Sequence, residues 1–301
     1  MTIVACWLDE SYGRRRVTAI ADTRASIKNE DQEWVPQNEA TTKLYRASVH
    51  CHELACLDTV TGSWRSPYFS TELGIGFSGA CFEAMSIIAL FQRCVGQLVD
   101  EGGVQSRPSP DGLANMLITI TERWFKQHRY SNGMKVEFLL FGFSPLDGSP
   151  WVKQITRTSE SDVSLTYSSV PLGPDETYLI GDVTNELKNS LEDIRARIFK
   201  HARNIKPQSD LDSIYEMDLA HARHLNADKK TVEHHILQDI SSEYRATVGG
   251  VLQKMEVHDA GDGRGHVAFS RNMDLEILDF LPPVGARLCF VPVTEKMGWS
   301  S

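Results

Sequence analysis

Thr2-Ile-Val-Ala-Cys-Trp-Leu8 and Val17-Thr-Ala-Ile-Ala21, with the polar stretch 9–16 and Gly13 between them, decide how this chain begins. Two apolar, β-branched runs around a glycine-bearing turn read as a hairpin whose strands are buried on at least one face. Residues 28–42 are polar, contain Pro36, and read as a loop. A second pair of short strands is expected over 44–55, followed by an irregular segment through Gly62, Pro67 and Ser70. Two amphipathic helices follow. Residues 82–99 place Ala84, Ile87, Ile88, Phe91, Val95 and Leu98 on one stripe, and 111–128 do so with Met116, Leu117, Ile120, Trp124 and Phe125.

Residues 135–143 are apolar almost without interruption, as in a strand buried on both faces. The turn Pro145-Leu-Asp-Gly148 leads to a hairpin partner over 151–155. Helical spacing returns over 185–241, with Thr184 as a candidate N-cap, and strands are expected over 247–257, 266–270, 275–280 and 286–291. Hairpins followed by paired helices, given twice, fit antiparallel sheets covered by helices better than a parallel βαβ sheet. The expectation is an α+β layered sandwich: one domain over 1–301, with a C-terminal strand extension from about residue 258.

The composition is that of a folded domain: 301 residues, 41% hydrophobic and 24% charged. No apolar run approaches the ~20 residues of a membrane-spanning helix, and the start lacks the features of a secretory signal. Six scattered cysteines fit a reducing compartment with free thiols. The net charge of −9 argues against nucleic acid as the main partner. These bounds make the protein soluble and cytoplasmic, with no membrane partner. They leave its activity open.

Chemistry enters at Thr2. Removal of Met1 would expose a hydroxyl nucleophile and a free α-amine on one residue, and the amine's reference pKa of ~7.7–8.0 suits it as a base. Behind it come Asp22 within Ile20-Ala-Asp-Thr-Arg-Ala-Ser26, Lys43 within Thr41-Thr-Lys-Leu-Tyr45, and Gly74-Ile-Gly-Phe-Ser-Gly-Ala80 opening a helix. On these strings the chain resembles the proteasome β-subunit family and its bacterial relatives of the HslV and ancestral β-subunit type, N-terminal-nucleophile (Ntn) hydrolases. The likeness is clearest over 2–100 and extends to 135–156; past Glu160 it is one of architecture only.

The resemblance implies a four-layer αββα sandwich and a threonine peptidase that cleaves peptide or related amide bonds through a Thr2 acyl-enzyme. It implies that Lys43 stabilises the Thr2 alkoxide, that Asp22 orients Lys43, and that the backbone N–H groups of Gly79 and Ala80 form an oxyanion hole. Asp182 and Thr247 fall where the family has supporting serine elements. No cofactor and no metal are required. The resemblance also implies a homo-oligomeric ring with outer helices in contact, fed a peptide or small amide substrate; whether an ATPase partner exists is left open.

Other readings compete. Asp22 alone also reads as a turn cap paired with Arg24, and Lys43 as a solvated surface charge. A retained Met1 would leave a catalytically silent ring protein with a structural or binding role. Gly74-x-Gly-x-x-Gly79 before a helix, with Asp100 downstream, matches a dinucleotide fingerprint and would mark an NAD- or FAD-binding protein. That fingerprint needs a buried strand before it, where this chain has Trp64-Arg-Ser-Pro67. Cys51, His52 and Cys56, and separately Asp218, His221 and His224, are the best metal-ligand groupings, but neither matches a known ligand motif. The run Arg14-Arg-Arg16 reads as the decoration of a hairpin tip.

Overall fold

The computed structural model describes residues 3–10, 15–38, 41–58, 60, 63–64, 66–127, 135–157, 164–173, 176–181 and 252–269. The first apolar runs form the expected hairpin, β1 (Ile3–Asp9) and β2 (Arg16–Asp22), paired Val4 with Ala21 through Asp9 with Arg16. Two strands distant in sequence extend it. β13 (Thr177–Gly181) lies along β1 and β14 (Leu252–Asp259) along β2, with β15 (Gly265–Phe269) outermost. Every pairing in this five-stranded sheet is antiparallel.

The second sheet has six strands, ordered β12 (Leu165–Pro171), β11 (Pro150–Arg157), β10 (Val136–Phe143), β8 (Phe69–Gly79), β5 (Leu44–Glu53) and β9 (Leu98–Asp100). Only the short β9 runs parallel to its neighbour. Burial on both faces explains the nearly uninterrupted apolar sequence of β10, whose side chains alternate between those faces. Leu139, Phe141 and Phe143 face the first sheet and meet Val4, Cys6, Leu8, Val17 and Ala19. Val136, Phe138 and Leu140 face the other way, into helices α1 (Cys81–Val95) and α2 (Pro110–Gln127), where Ile87, Phe91, Leu117 and Phe125 cover them.

The described residues thus form an α+β sandwich of antiparallel sheets with a helical layer on the second sheet. On the opposite face of β1, Ile3, Ala5 and Trp7 are buried as well. The helices expected over 185–241 and the strands expected beyond 270 lie outside the described residues. Among those residues no helix is long and apolar enough to cross a membrane.

Several expectations need correction. The loop expected over 28–42 holds a strand, β4 (Trp34–Asn38), which pairs in a hairpin with β3 (Ala25–Lys28) just before it. Its turn is closed by the Asn29 side chain accepting the Glu33 N–H at 2.9 Å, and it reads as polar because both strands are largely exposed. The two strands expected over 44–55 are one ten-residue strand, β5; β6 (Leu57–Asp58) and β7 (Ser63–Trp64) form a small hairpin in the segment read as irregular. The glycines read as opening a helix belong to β8, an eleven-residue strand.

Gly74 and Gly76 are there for close packing. A Cβ at Gly74 would stand 2.2 Å from the Phe141 ring, and one at Gly76 would stand 2.7 Å from Val4 Cγ1. Only Gly79, with φ of +100°, turns the chain. This arrangement overturns the dinucleotide reading, because two of its three glycines sit in the interior of an antiparallel strand rather than in a turn after a parallel one.

At the far end of the first sheet, Glu256 gathers three basic side chains. Arg16 NH1 lies 3.4 Å away, Lys254 Nζ 3.5 Å and His258 Nε2 3.2 Å, and Arg16 also pairs with Asp9 at 2.7 Å. Burial pushes the Glu256 carboxyl up, but the His258 hydrogen bond and the charges of Arg16, Lys254 and His258 outweigh it, so its pKa falls from 4.5 to about 2.

Two outcomes follow from this packing. Gly76→Val should cost roughly 3 kcal/mol in urea unfolding, because neither Val4 nor the strand backbone can retreat from the added methyls. Glu256 has a depressed folded pKa, so its stabilisation is complete above its unfolded pKa and drains as pH falls toward 2. The urea midpoint of the protein should therefore drop across that window, and less steeply in Glu256→Gln.

Candidate functional site

Among the described residues, one end of the sandwich holds a run of buried polar groups. Asp22 and Thr23 are fully buried where β2 ends, and Lys43, just before β5, is 1% exposed. Asp22 receives backbone donors on both carboxylate oxygens: Ile3 N–H at 3.0 Å on Oδ1 and Arg24 N–H at 3.2 Å on Oδ2. Its turn-capping role is therefore real, and it is combined with a second role, fixing the first described residue of β1. The Thr41 N–H donates to the Thr23 carbonyl at 2.8 Å, which brings the segment carrying Lys43 beside the end of β2.

Gln253 on β14 locks that segment. Its Oε1 accepts the N–H groups of Lys43 at 2.8 Å and Leu44 at 3.1 Å, while its Nε2 donates to the Thr41 carbonyl at 3.1 Å. The Lys43 carbonyl accepts from Phe77 of β8 at 3.2 Å. The lysine backbone is thus held by both sheets. Its Nζ lies 3.5 Å from Cys81 Sγ and 5.3 Å from the centre of the Phe77 ring. A solvated surface charge is excluded for Lys43. Beside it, burial and then the charge of Cys81 push the Tyr45 phenol up to about 12, so it stays protonated and donates to the Thr42 carbonyl at 3.1 Å.

The glycine turn closes the same end. Gly79 needs its positive φ, since a Cβ there would stand 1.9 Å from the Lys135 carbonyl oxygen. That oxygen accepts the Ala80 N–H at 2.9 Å, and Ala80 is the N-cap of α1. The Ala80 donor is thus engaged by backbone. Glu137 links the surroundings: its Oε2 accepts Ser78 Oγ and the Gly181 N–H, each at 2.9 Å, and Lys135 Nζ lies 3.5 Å from its Oε1. Gly181 pairs with Ile3, so this carboxylate ties the start of β1 to the strand that carries Gly79.

Asp22, Lys43, Gly79 and Ala80 therefore gather at one end of the sandwich, while Thr2, Asp182 and Thr247 lie outside the described residues. Gln253, Cys81 and Glu137 were missed by the reading of the sequence. Gln253 stands 210 residues from Lys43, and no local pattern connects the two. Cys81 falls between the glycine string ending at Ala80 and the helix expected from 82, and a cysteine there carries no spacing signal.

The other candidates disperse. His52 is buried with its ring stacked on Trp64 at 5.1 Å, and among the described residues no three of His, Cys, Asp or Glu group as metal ligands. Asp218, His221 and His224 lie outside the described residues. Arg15 and Arg16 face acids, Glu10, Asp259, Asp9 and Glu256, and Arg14 lies outside the described residues.

No protein-family model and no curated protein matches the chain. Solved structures similar to it include Anbu, the ancestral β-subunit, from Yersinia bercovieri, at 12% identity and a TM-score of 0.45, covering 93% of this chain and 92% of that one. A Gly-1 mutant of Anbu from Hyphomicrobium sp. strain MC1 aligns at 13% identity and a TM-score of 0.46 over 92% of each chain.

Removing the Gln253 amide tests the clamp. Gln253→Ala leaves two buried N–H groups and a carbonyl unpaired and should cost about 3 kcal/mol in chemical unfolding; a loss under ~1 kcal/mol would mean that the clamp is incidental.

Proposed function

We propose that the protein is a threonine-type N-terminal-nucleophile hydrolase acting on peptide or related amide bonds. One observation carries this reading: a fully buried lysine and a fully buried aspartate share the end of the sandwich at which the Asp22 carboxylate holds the N–H of Ile3. Ile3 is the residue covalently joined to Thr2. Few structural needs put a lysine in such a place, whereas stabilising an alkoxide demands a cation shielded from water.

In the proposed reaction the Thr2 hydroxyl, once Met1 is removed, attacks the amide carbonyl while the α-amine takes its proton. The ammonium of Lys43 stabilises the oxygen as it gains charge, and Asp22 fixes the start of β1 and orients Lys43. The α-ammonium then passes the proton to the leaving amine, giving an ester on Thr2 that water hydrolyses with the same amine as base. The Gly79 N–H is the proposed oxyanion donor; the Ala80 N–H joins it only by leaving the Lys135 carbonyl. Asp182 and Thr247 are proposed as supports of the amine. The chemistry calls for no cofactor. Self-association into a ring through the outer helices is part of the proposal, supported by apolar Phe82, Met85 and Leu90 on the exposed side of α1, with Phe82 72% exposed.

One observation favours a second reading, a silent ring protein that keeps the fold: the engaged Ala80 N–H. Intact-mass measurement separates the two first, since a freed threonine shows as a loss of ~131 Da and is needed for the nucleophile–base pair. In the hydrolase reading, Thr2→Ala abolishes turnover of a fluorogenic peptide panel, at least ~10³-fold, and Thr2→Ser retains part of it. Lys43→Ala lowers kcat by about 10²–10³. Full activity in Thr2→Ala, or Met1 retained throughout, would overturn the hydrolase.

A further inference from the structure

The contact between Lys43 and Cys81 has no part in the proposed reaction. Cys81 is the first residue of α1, half-buried, with its Sγ 3.5 Å from Lys43 Nζ and 3.7 Å from the Gly79 carbonyl oxygen. Lys43 is 1% exposed and held through its backbone by Gln253 and Phe77. The sulfur belongs to a half-buried residue, whereas the lysine beside it is 1% exposed. Of the other described cysteines, Cys6 and Cys51 are buried, Cys56 is half-buried and Cys94 is exposed.

We propose that Lys43 and Cys81 form an oxidative cross-link, a sulfenamide, that reversibly consumes the site's cation. The co-reactant is a peroxide. In the first step the Cys81 sulfur attacks hydrogen peroxide; the O–O bond breaks, sulfur loses two electrons, and the products are Cys81 sulfenic acid and water. In the second step Lys43 Nζ, having released a proton to solvent, attacks the sulfenic sulfur. The S–N bond forms, the S–O bond breaks, and hydroxide leaves with a second nitrogen proton as water. The net change is two hydrogens fewer on the protein. Two thiols return the link to lysine and cysteine: the first attacks the sulfur and releases the amine as a mixed disulfide forms, and the second frees Cys81 as the two thiols leave joined in a disulfide.

The geometry fits this outcome better than competing fates of a sulfenic acid. Among the described residues Cys81 is a free cysteine, joined in no disulfide. The lysine nitrogen already lies in van der Waals contact with the sulfur. Closing to bonding distance needs only a rotamer adjustment of a half-buried cysteine. Such a link would replace an ammonium by a neutral nitrogen at the place where the proposed reaction needs positive charge. The link itself stands on the contact alone; only its consequence for turnover rests on the hydrolase reading.

The test is mass spectrometry of the full-length protein after titration with hydrogen peroxide, followed by digestion without reductant. The expected result is a species about 2 Da lighter and a peptide joining residue 43 to residue 81, both reversed by dithiothreitol. Cys81→Ser should form neither, while Cys94→Ser should form both. Hydrolysis, where present, should fall in proportion to the linked fraction and return with dithiothreitol. Oxygen addition at Cys81 without any 43–81 peptide would overturn the proposal, as would a link that persists in Cys81→Ser. A 43–81 link in a protein without hydrolase activity would leave this inference standing and the hydrolase reading failed.

Discussion

A lysine side chain taken out of water costs several kcal/mol unless its surroundings replace the lost hydration, and the end of this sandwich is arranged around that cost. Lys43 is among the largest fully buried side chains of the described residues. Its backbone is satisfied by Gln253 from one sheet and Phe77 from the other, and its ammonium meets a sulfur and the face of an aromatic ring. Asp22 supplies a buried carboxylate at the same end, itself held by two backbone donors. Each of these groups is expensive alone. Their common placement makes the cost a matter of one region, and it concentrates charge where β1 begins.

That concentration depends on how closely the sheets approach. Gly76 allows β8 to sit against Val4 of β1, and Gly74 leaves room for the ring of Phe141. With a side chain at Gly76 the sheets would part, and the span from Gln253 on the first sheet to Lys43 and Leu44 on the second would lengthen beyond hydrogen-bond reach. Glu137 adds a second strap between the sheets at Ser78 and Gly181. The polar clamp and the glycine contact are therefore parts of one constraint, and neither would hold its geometry without the other.

Much of the architecture was legible because its signals are local. The opening hairpin, both helices and the β10–β11 hairpin follow from periodicity, since burial of one or both faces writes itself into neighbouring residues. The glycines of β8 misled for a physical reason: glycine's conformational freedom and its small size leave the same letter in the sequence, and here the size mattered. The β3–β4 hairpin was hidden because an exposed strand carries no apolar alternation. At the site, Asp22 and Lys43 stood out through short strings, whereas Gln253 acts across 210 residues and Glu137 across 59. Long-range polar satisfaction has no period, so nothing in one sequence announces it.

The same reasoning bears on why the Cys81 contact matters. An amine kept charged needs a neighbour that tolerates the charge; water does so best and is largely excluded here. Sulfur is polarisable and tolerates it at little structural cost, and a thiol fits the narrow first turn of α1 between Lys43 and the Gly79 carbonyl. A serine would offer a stronger acceptor but a shorter reach; a carboxylate would pair the charge fully and weaken its pull on any oxygen formed nearby. Cysteine thus gives the lysine a polarisable contact at position 81 in place of a formal ion pair there. The cost of that compromise is chemical: of the groups that could fill the position, it is the one that an oxidant converts into an electrophile facing the lysine.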